Sequence, residues 1–300
     1  MPELPEAEVA RATLAPHVVG QRVEEVVLRM PSRVRRPHKL PRDEDERAVA
    51  GFVTGLGGRL ITGVERRGKG LLFAFDDGQA LDFNFGLWAS VTLRERLPDG
   101  DESPDPPVKR LGLALRLSRG VAGEAGLGSD AGSRPWLVFA DVTFSTYGLA
   151  PYAPPSGPPP YDALDPGLTS ARLADLAGAA ARRSGELKRF LMDERLLLGV
   201  GNGYADEILW RARLHPRRVA AGLSETEWGT LLAALRDGLL EAVAQGGEPD
   251  FLDADCRRGR CERRIHHHAG DPCPRCGAAL VGYERSGRET DFCPVCQPEA

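Results

Sequence analysis

Two stretches of this 300-residue chain hold residue types whose spacing permits chemistry. The first is the opening Met1-Pro2-Glu3-Leu4-Pro5-Glu6. A small residue after Met1 favours removal of that methionine, which leaves Pro2 with a free secondary amine. An α-amino group titrates near ~8, so a useful fraction is unprotonated and nucleophilic at neutral pH. A lysine reaches that state only by burial. Glu3 lies beside the amine as an acid or base, and Glu6 follows one helical turn later. Together they are equipped to attack a carbonyl-like carbon and form an iminium. The plainer reading is a helix N-terminus, with Pro5 in its first turn and acids facing the macrodipole. The second stretch is Cys273-Pro274-Arg275-Cys276 and Cys293-Pro294-Val295-Cys296, two CxxC pairs separated by sixteen residues. Four thiolates at that spacing form a closed tetrahedral zinc site around a hairpin. No position stays open for water, so the expected single zinc is structural.

The elements that must position these residues follow from periodicity. A helix is expected over roughly 3–18, with Ala7, Val9, Ala10, Leu14 and Val18 on its apolar side. Short apolar segments then recur between turn signals: Val23–Leu28, Leu60–Val64, Leu71–Phe75, Leu81–Phe85, Val91–Leu93, Leu111–Leu117 and Leu137–Val142. Many short strands at this spacing indicate an antiparallel sandwich or barrel. Residues 119–135 are small and polar and read as a loop, and proline-rich Ala150–Tyr161 reads as a stiff linker. Beyond it, Thr169–Arg182, Leu187–Leu198, Tyr204–Ala212 and Glu225–Ala244 have helical spacing. Between the middle two lies Gly199-Val200-Gly201-Asn202-Gly203, whose glycines force tight turns and bare backbone amides next to a helix N-terminus. Such a loop can grip a phosphate, with Asn202 adding a donor, or be a plain interhelical turn. The expected fold is therefore a multidomain α+β chain. Its parts are an N-terminal β-sandwich over 1–149, a linker over 150–161, a helical domain over 162–255 and a zinc finger over 256–300.

Composition narrows the class. With 42% hydrophobic and 27% charged residues the chain is ordinarily globular, and no apolar run is long enough for a spanning helix, so a cytoplasmic protein is expected. The six cysteines all follow residue 255, which favours a metal in a reducing compartment over disulfides. The net charge of −4 argues against a partner held by bulk electrostatics, yet basic residues cluster at 29–42 and 179–219. Lysines are few, and Lys69 and Lys188 stand among them. His266, His267 and His268 with Cys256 and Cys261 form either a second metal site or a solvated run beside ordinary thiols. The sparse lysine with abundant arginine, alanine and glycine fits a GC-rich bacterial genome.

Four motifs occur in one order: Pro2-Glu3-Leu4-Pro5-Glu6, the segment Arg66–Leu72, the stretch Asp193–Pro216 and the stretch Gly287–Gln297. In this the chain resembles the formamidopyrimidine-DNA glycosylase / endonuclease VIII family of bifunctional DNA repair enzymes. The resemblance implies that the Pro2 amine attacks C1′ of a damaged nucleotide in double-stranded DNA, expels the base and leaves an iminium. Strand cleavage by elimination follows. It implies Glu3 as the general acid that opens the sugar, and Lys69 as a phosphate contact and proton donor in β-elimination. Asn202 and Arg288 become phosphate grips, Arg288 with a part in δ-elimination, and Lys188 a backbone contact. The helices at Asp193–Pro216 correspond to a helix–two-turn–helix, the duplex is expected to kink and expose the target nucleotide, and the enzyme is expected to act as a monomer at the nucleoid.

Leu4 and the helix Gly203–Trp210 resemble the purine-specific branch of that family, and two other stretches depart from it. Asn84-Phe85-Gly86-Leu87-Trp88 replaces the stretch whose methionine fills the void left by the flipped base. Asp141–Gly148 lacks the arginines that read an orphaned cytosine, which implies reduced dependence on an opposite cytosine. The contrasting functions are a non-catalytic damage-binding protein of the same fold and an RNA-associated zinc-ribbon protein; the latter leaves the N-terminus unexplained.

Overall fold

A computed structural model describes residues 2–35, 41–98, 110–118, 135–141, 145–152, 160–180 and 185–299. The chain divides into two compact units. The first comprises residues 1–2, 6–155 and 250–259, and the second residues 3–5, 156–249 and 260–300.

The first unit begins with most of helix α1 (Leu4–Val18), followed by β1 (Val23–Leu28) and α2 (Arg42–Leu56). Further strands complete it: β2 (Ile61–Arg67), β3 (Gly70–Phe75), β4 (Gln79–Asn84), β5 (Ser90–Arg94), β6 (Leu111–Leu117), β7 (Trp136–Ala140) and β8 (Thr146–Pro151). They form two antiparallel sheets of order β1-β6-β7-β5 and β2-β3-β4-β8. Phe139 of one sheet meets Phe73 and Phe83 of the other edge-on, at centroid distances of 5.7 and 5.0 Å. That contact between sheets makes a sandwich, as the alternating short strands imply. Residues 250–259 return to this unit, where Leu93 N–H donates to Ala254 O at 2.8 Å and Phe251 packs on Phe85.

Helix α2 is absent from the sequence expectations. Its signals are Pro41 at the N-cap, three acids in the first turn (Asp43, Glu44, Asp45) and Phe52 and Leu56 four apart on the buried side. Phe52 stacks on Tyr147 of β8 at 6.0 Å, and Tyr147 shares the core-facing side of its sheet with Phe83, so the helix closes the core beside β8. The 119–135 loop, the centre of the linker and Val142–Phe144 fall almost wholly outside the described residues.

The second unit is built from α3 (Ser170–Ala180), α4 (Leu187–Leu191), α5 (Asn202–Ala212) and α6 (Glu225–Ala244), with a small parallel pair β9 (Tyr161–Asp162) and β10 (Leu197–Leu198). The expected helix over 187–198 stops early because Asp193 accepts from Arg195 N–H at 3.1 Å and turns the chain into β10. Ser224 and Glu227 cap α6 reciprocally in a capping box. Leu187, Phe190, Ile208, Leu209, Leu231 and Leu235 meet in one helical core. The hairpin β11 (Val281–Arg285) and β12 (Arg288–Phe292) ends the unit.

Candidate active site

In the second unit the glycine loop before α5 folds around the opening residues of the chain. Leu4 N–H donates to Gly199 O at 3.1 Å. The Glu3 carboxylate accepts from Gly201 N–H at 2.5 Å and Gly203 N–H at 3.2 Å, and the residue is 2% exposed. Each glycine has its own steric reason. A Cβ at Gly199, whose φ is +103°, would overlap Leu4 Cδ1. One at Gly201 would overlap the Glu3 carboxylate, and one at Gly203 would lie 2.5 Å from Arg263 Cζ. The bared amides therefore hold an anion, as the sequence implies, but that anion is the protein's own carboxylate. The N-terminus of α5 adds the favourable end of its dipole.

Arg263 closes the socket. Its Nη2 lies 3.6 Å from Glu3 Oε1, its Nε bonds Glu248, and its Cζ sits 3.8 Å above the Tyr204 ring. Burial works against this guanidinium charge, but Glu3, Tyr204 and Glu248 outweigh it and hold its pKa above the ordinary value. Sequence reading does not single Arg263 out, since it stands in a basic run that resembles solvated surface.

Asn202 and Lys188 both reach the zinc-finger hairpin of the same unit. Asn202 Nδ2 donates to Glu289 O at 3.0 Å, while its Oδ1 is buried and has no partner among the described residues. Lys188 Nζ lies 2.7 Å from Asp206 Oδ1 and donates to Glu289 O at 2.8 Å and Thr290 Oγ1 at 3.0 Å. Burial draws the Lys188 pKa down, opposed by the charges of Asp206, Asp291 and Glu3. Its three donors point inward, so in this structure Lys188 ties the hairpin to the helices. Asp206 Oδ2 also accepts from Asp291 N–H at 3.2 Å and faces His266 Nδ1 at 2.8 Å. Residues 289, 290 and 291 of β12 are thus fixed in register. Arg288, one residue before them, is exposed at a tip formed by Ser286 and Gly287, both at positive φ.

In the first unit Pro2 is buried, and Lys69 is half-buried on the turn between β2 and β3. That turn is braced by Arg66, whose Nε bonds Glu8 at 3.0 Å and whose Nη1 donates to Gly68 O at 3.3 Å. Arg11 bonds the same carboxylate at 2.6 Å. Burial alone raises the Glu8 pKa, but hydrogen bonds and charge from Arg11 and Arg66 hold it below the ordinary carboxylate value. This brace too escapes sequence reading, because nothing local joins Glu8 to Arg66.

The Sγ atoms of Cys273, Cys276, Cys293 and Cys296 all lie within 4.8 Å of one another, with separations of 4.0 Å (273–296) and 3.4 Å (276–293). Zn–S bonds of about 2.3 Å in a tetrahedron place sulfurs about 3.8 Å apart, so the donor set fits zinc. Burial opposes the Cys273 thiolate, yet Trp210 Nε1–H and the amides of Arg275 and Cys276 bring its pKa down to about 6. Burial and the three neighbouring thiols push Cys296 up to about 12. Four such thiols ionise together around a divalent cation. Trp210 packs on Cys273, and Arg275 donates to Trp210 O at 2.8 Å, which seats the finger on α5. Among the upstream residues, His266, His267 and Asp291 group together, but His266 Nδ1 faces Asp206, His267 Nδ1 pairs with Glu289 at 2.7 Å and His268 pairs with Asp271. Cys256 and Cys261 join no cluster of three or more such ligands among the described residues.

Comparison with known proteins follows this division of labour. Residues 1–125 match the model for the formamidopyrimidine-DNA glycosylase N-terminal domain, 163–250 that for its H2TH domain, and 270–298 a zinc finger found in FPG and IleRS. The chain is 36% identical to a formamidopyrimidine-DNA glycosylase of Nocardioides sp., covering 99% of this chain and 95% of that protein. It is 36% identical to one of Geobacter sulfurreducens, covering 99% and 100%. Among solved structures it is similar to the MutM (Fpg) protein of Thermus thermophilus, with a TM-score of 0.75, 32% identity and full coverage of both chains. A Lactococcus lactis Fpg in complex with DNA containing an oxidised pyrimidine aligns with the same TM-score and 25% identity, covering 99% and 100%.

Proposed function

Because the chain belongs to the formamidopyrimidine-DNA glycosylase family, and so is a DNA glycosylase with AP lyase activity in base excision repair, we propose that Pro2 is its nucleophile and Glu3 its general acid. The observation that carries this assignment is the socket around Glu3. A buried carboxylate held by two amides, one residue from a potential secondary amine, has no purpose in a helix N-terminus that merely starts a fold. Burying a carboxylate is costly even when it is hydrogen-bonded, and buried ionisable groups cluster where they work.

The Pro2 nitrogen becomes an amine only once Met1 is removed. Its lone pair attacks C1′ of the damaged nucleotide, the glycosidic bond breaks, and the base leaves with the bonding electrons. The proton on the attacking nitrogen passes to the Glu3 carboxylate, which gives it to the ring oxygen as the C1′–O4′ bond opens, and the nitrogen–carbon iminium results. Proline is a secondary amine, so this iminium carries a fixed positive charge that acidifies C2′–H. Water takes that proton, the C2′–H electrons form the new double bond, and the 3′ phosphate leaves with the C3′–O electrons, with Lys69 as the proposed proton donor to the departing oxygen. Asn202 and Arg288 are the proposed phosphate grips, the latter at the exposed hairpin tip, and Lys188 acts by fixing that hairpin. The four cysteines hold one structural zinc, which supplies no chemistry to these steps.

The duplex partner is damaged DNA, as in the Lactococcus lactis complex, and the enzyme acts as a monomer in the bacterial cytoplasm, where that DNA lies. No helix among the described residues is long and apolar enough to cross a membrane. The turn between β4 and β5 offers Leu87 and Trp88 to the space a flipped nucleotide vacates; Trp88 is 63% exposed. Binding through phosphates by a chain of net charge −4 should weaken steeply with salt.

Borohydride reduction during reaction with an abasic-site duplex tests the assignment. The expected product is a covalent adduct of the chain lacking Met1, mapped by mass spectrometry to Pro2. It should vanish when an uncleaved N-terminal extension keeps the Pro2 nitrogen in an amide. An adduct on any other residue, or none, sinks the assignment.

A further inference from the structure

We infer that Arg263 is a positioning residue for base excision: it holds Glu3 in place and stabilises the carboxylate that remains after Glu3 gives up its proton. This rests on the proposed role of Glu3. The guanidinium is fixed on three sides. Glu248 bonds its Nε, Tyr204 lies under its face at 3.8 Å, and Gly203 leaves no side chain where a Cβ would come within 2.5 Å of Cζ. The side chain is 12% exposed. Its remaining edge points at the socket. Nη2 stands 3.6 Å from Glu3 Oε1, beyond hydrogen-bond length, and Nη1 is buried with no hydrogen-bond partner among the described residues.

A buried N–H without a partner costs free energy, and a role in a second state is one reason for a fold to keep it. At 3.6 Å in a water-poor socket, a fixed positive charge acts strongly on Oε1 and needs no reorganisation when that oxygen becomes negative. The two amides of Gly201 and Gly203 orient the carboxylate, and Arg263 supplies the charge that they lack. This help applies when the sugar ring opens, which is the step that uses the Glu3 proton. A preformed abasic site already exists partly as the open aldehyde, so the lyase step on it depends less on Glu3.

The experiment compares wild type, Arg263→Gln and Arg263→Lys in three readouts: single-turnover base excision from a duplex carrying an oxidised base, strand cleavage at a preformed abasic site, and Kd for a duplex with a tetrahydrofuran abasic analogue. The expected result for Arg263→Gln is an excision rate lower by about tenfold to a hundredfold. Abasic cleavage and Kd should stay within about threefold. Arg263→Lys keeps the charge without the planar fork and should recover at least half of that loss on a logarithmic scale. If Arg263→Gln does not fold, Arg263→Lys carries the test, through a several-fold loss confined to excision. Unchanged excision in the variants overturns the inference. A parallel fall in all three readouts does so too, since that is what a purely structural arginine produces. A wild type that gives no borohydride adduct removes the role of Glu3 itself, and this inference with it.

Discussion

Two hairpin turns each carry one of the basic residues proposed to contact phosphate, and they are braced differently. Lys69 sits between β2 and β3, strands whose neighbours and inner face are already packed; Leu71 and Phe73 are fully buried. There the ladder runs to the turn itself, with Arg67 opposite Gly70, and one partly exposed ion pair between Arg66 and Glu8 suffices. Arg288 sits on an isolated two-stranded ribbon, most of whose residues are exposed. Two strands alone are marginal in water. That ribbon therefore needs zinc below it and a buried network beside it, where Lys188 and Asp206 side chains are 6% and 0% exposed. A basic tip can be presented on a sheet at small cost, whereas on a free ribbon it requires metal and buried charge.

The largest effect follows from removing the metal. Structural zinc sites in small fingers contribute on the order of 10–16 kcal/mol of apparent binding energy. A strong chelator, or Cys293→Ser, should release one zinc per chain, unfold residues 270–298 and change the fluorescence of Trp210, whose Nε1–H meets Cys273 Sγ at 3.4 Å. Affinity for abasic-analogue DNA should fall at least a hundredfold, while hydrogen exchange across β2–β3 stays slow. If exchange accelerates equally in both turns, the two are not independently braced. Next in size is Asp206→Ala. It leaves the Lys188 ammonium buried without its carboxylate, a change of about 3–5 kcal/mol. Amides of α5 and β12 should lose protection, and adding Lys188→Met should restore part of it. No loss of protection in Asp206→Ala contradicts a buried brace.

How far these braces can be read from sequence depends on whether the partners are local. The Cys273–Cys276 and Cys293–Cys296 pairs are each three residues apart, and α5 repeats its apolar positions every turn, so both can be anticipated. The sandwich follows from strand spacing, although Gly148 and Pro151 give β8 the look of a loop. The glycine loop shows that amides are available, but their partner is Glu3, 198 residues away. Lys188 has the composition of a phosphate contact; only the tertiary placement of Asp206 and Glu289 turns it inward. Arg263 is the extreme case. Its significance rests on Tyr204, Glu248 and Gly203, none of them adjacent in sequence.

The smallest effect concerns the first turn, and its pH dependence separates charge from packing. Glu8 has a folded pKa below its ordinary 4.5, because Arg11 and Arg66 outweigh burial. A depressed carboxylate contributes stability that is fully present above the unfolded value and is lost as pH falls through the folded value. Glu8→Gln removes the charge and keeps the shape. At pH 7 it should lower stability by about 1 kcal/mol, the scale of a partly exposed pair. The gap between variant and wild type should narrow as pH drops below ~4.5 and close once the wild-type carboxyl is protonated. Urea unfolding of both proteins at neutral and acidic pH measures it. A gap that persists unchanged in acid shows that Glu8 acts through packing. The β2–β3 turn would then be held as the zinc ribbon is not, by shape alone.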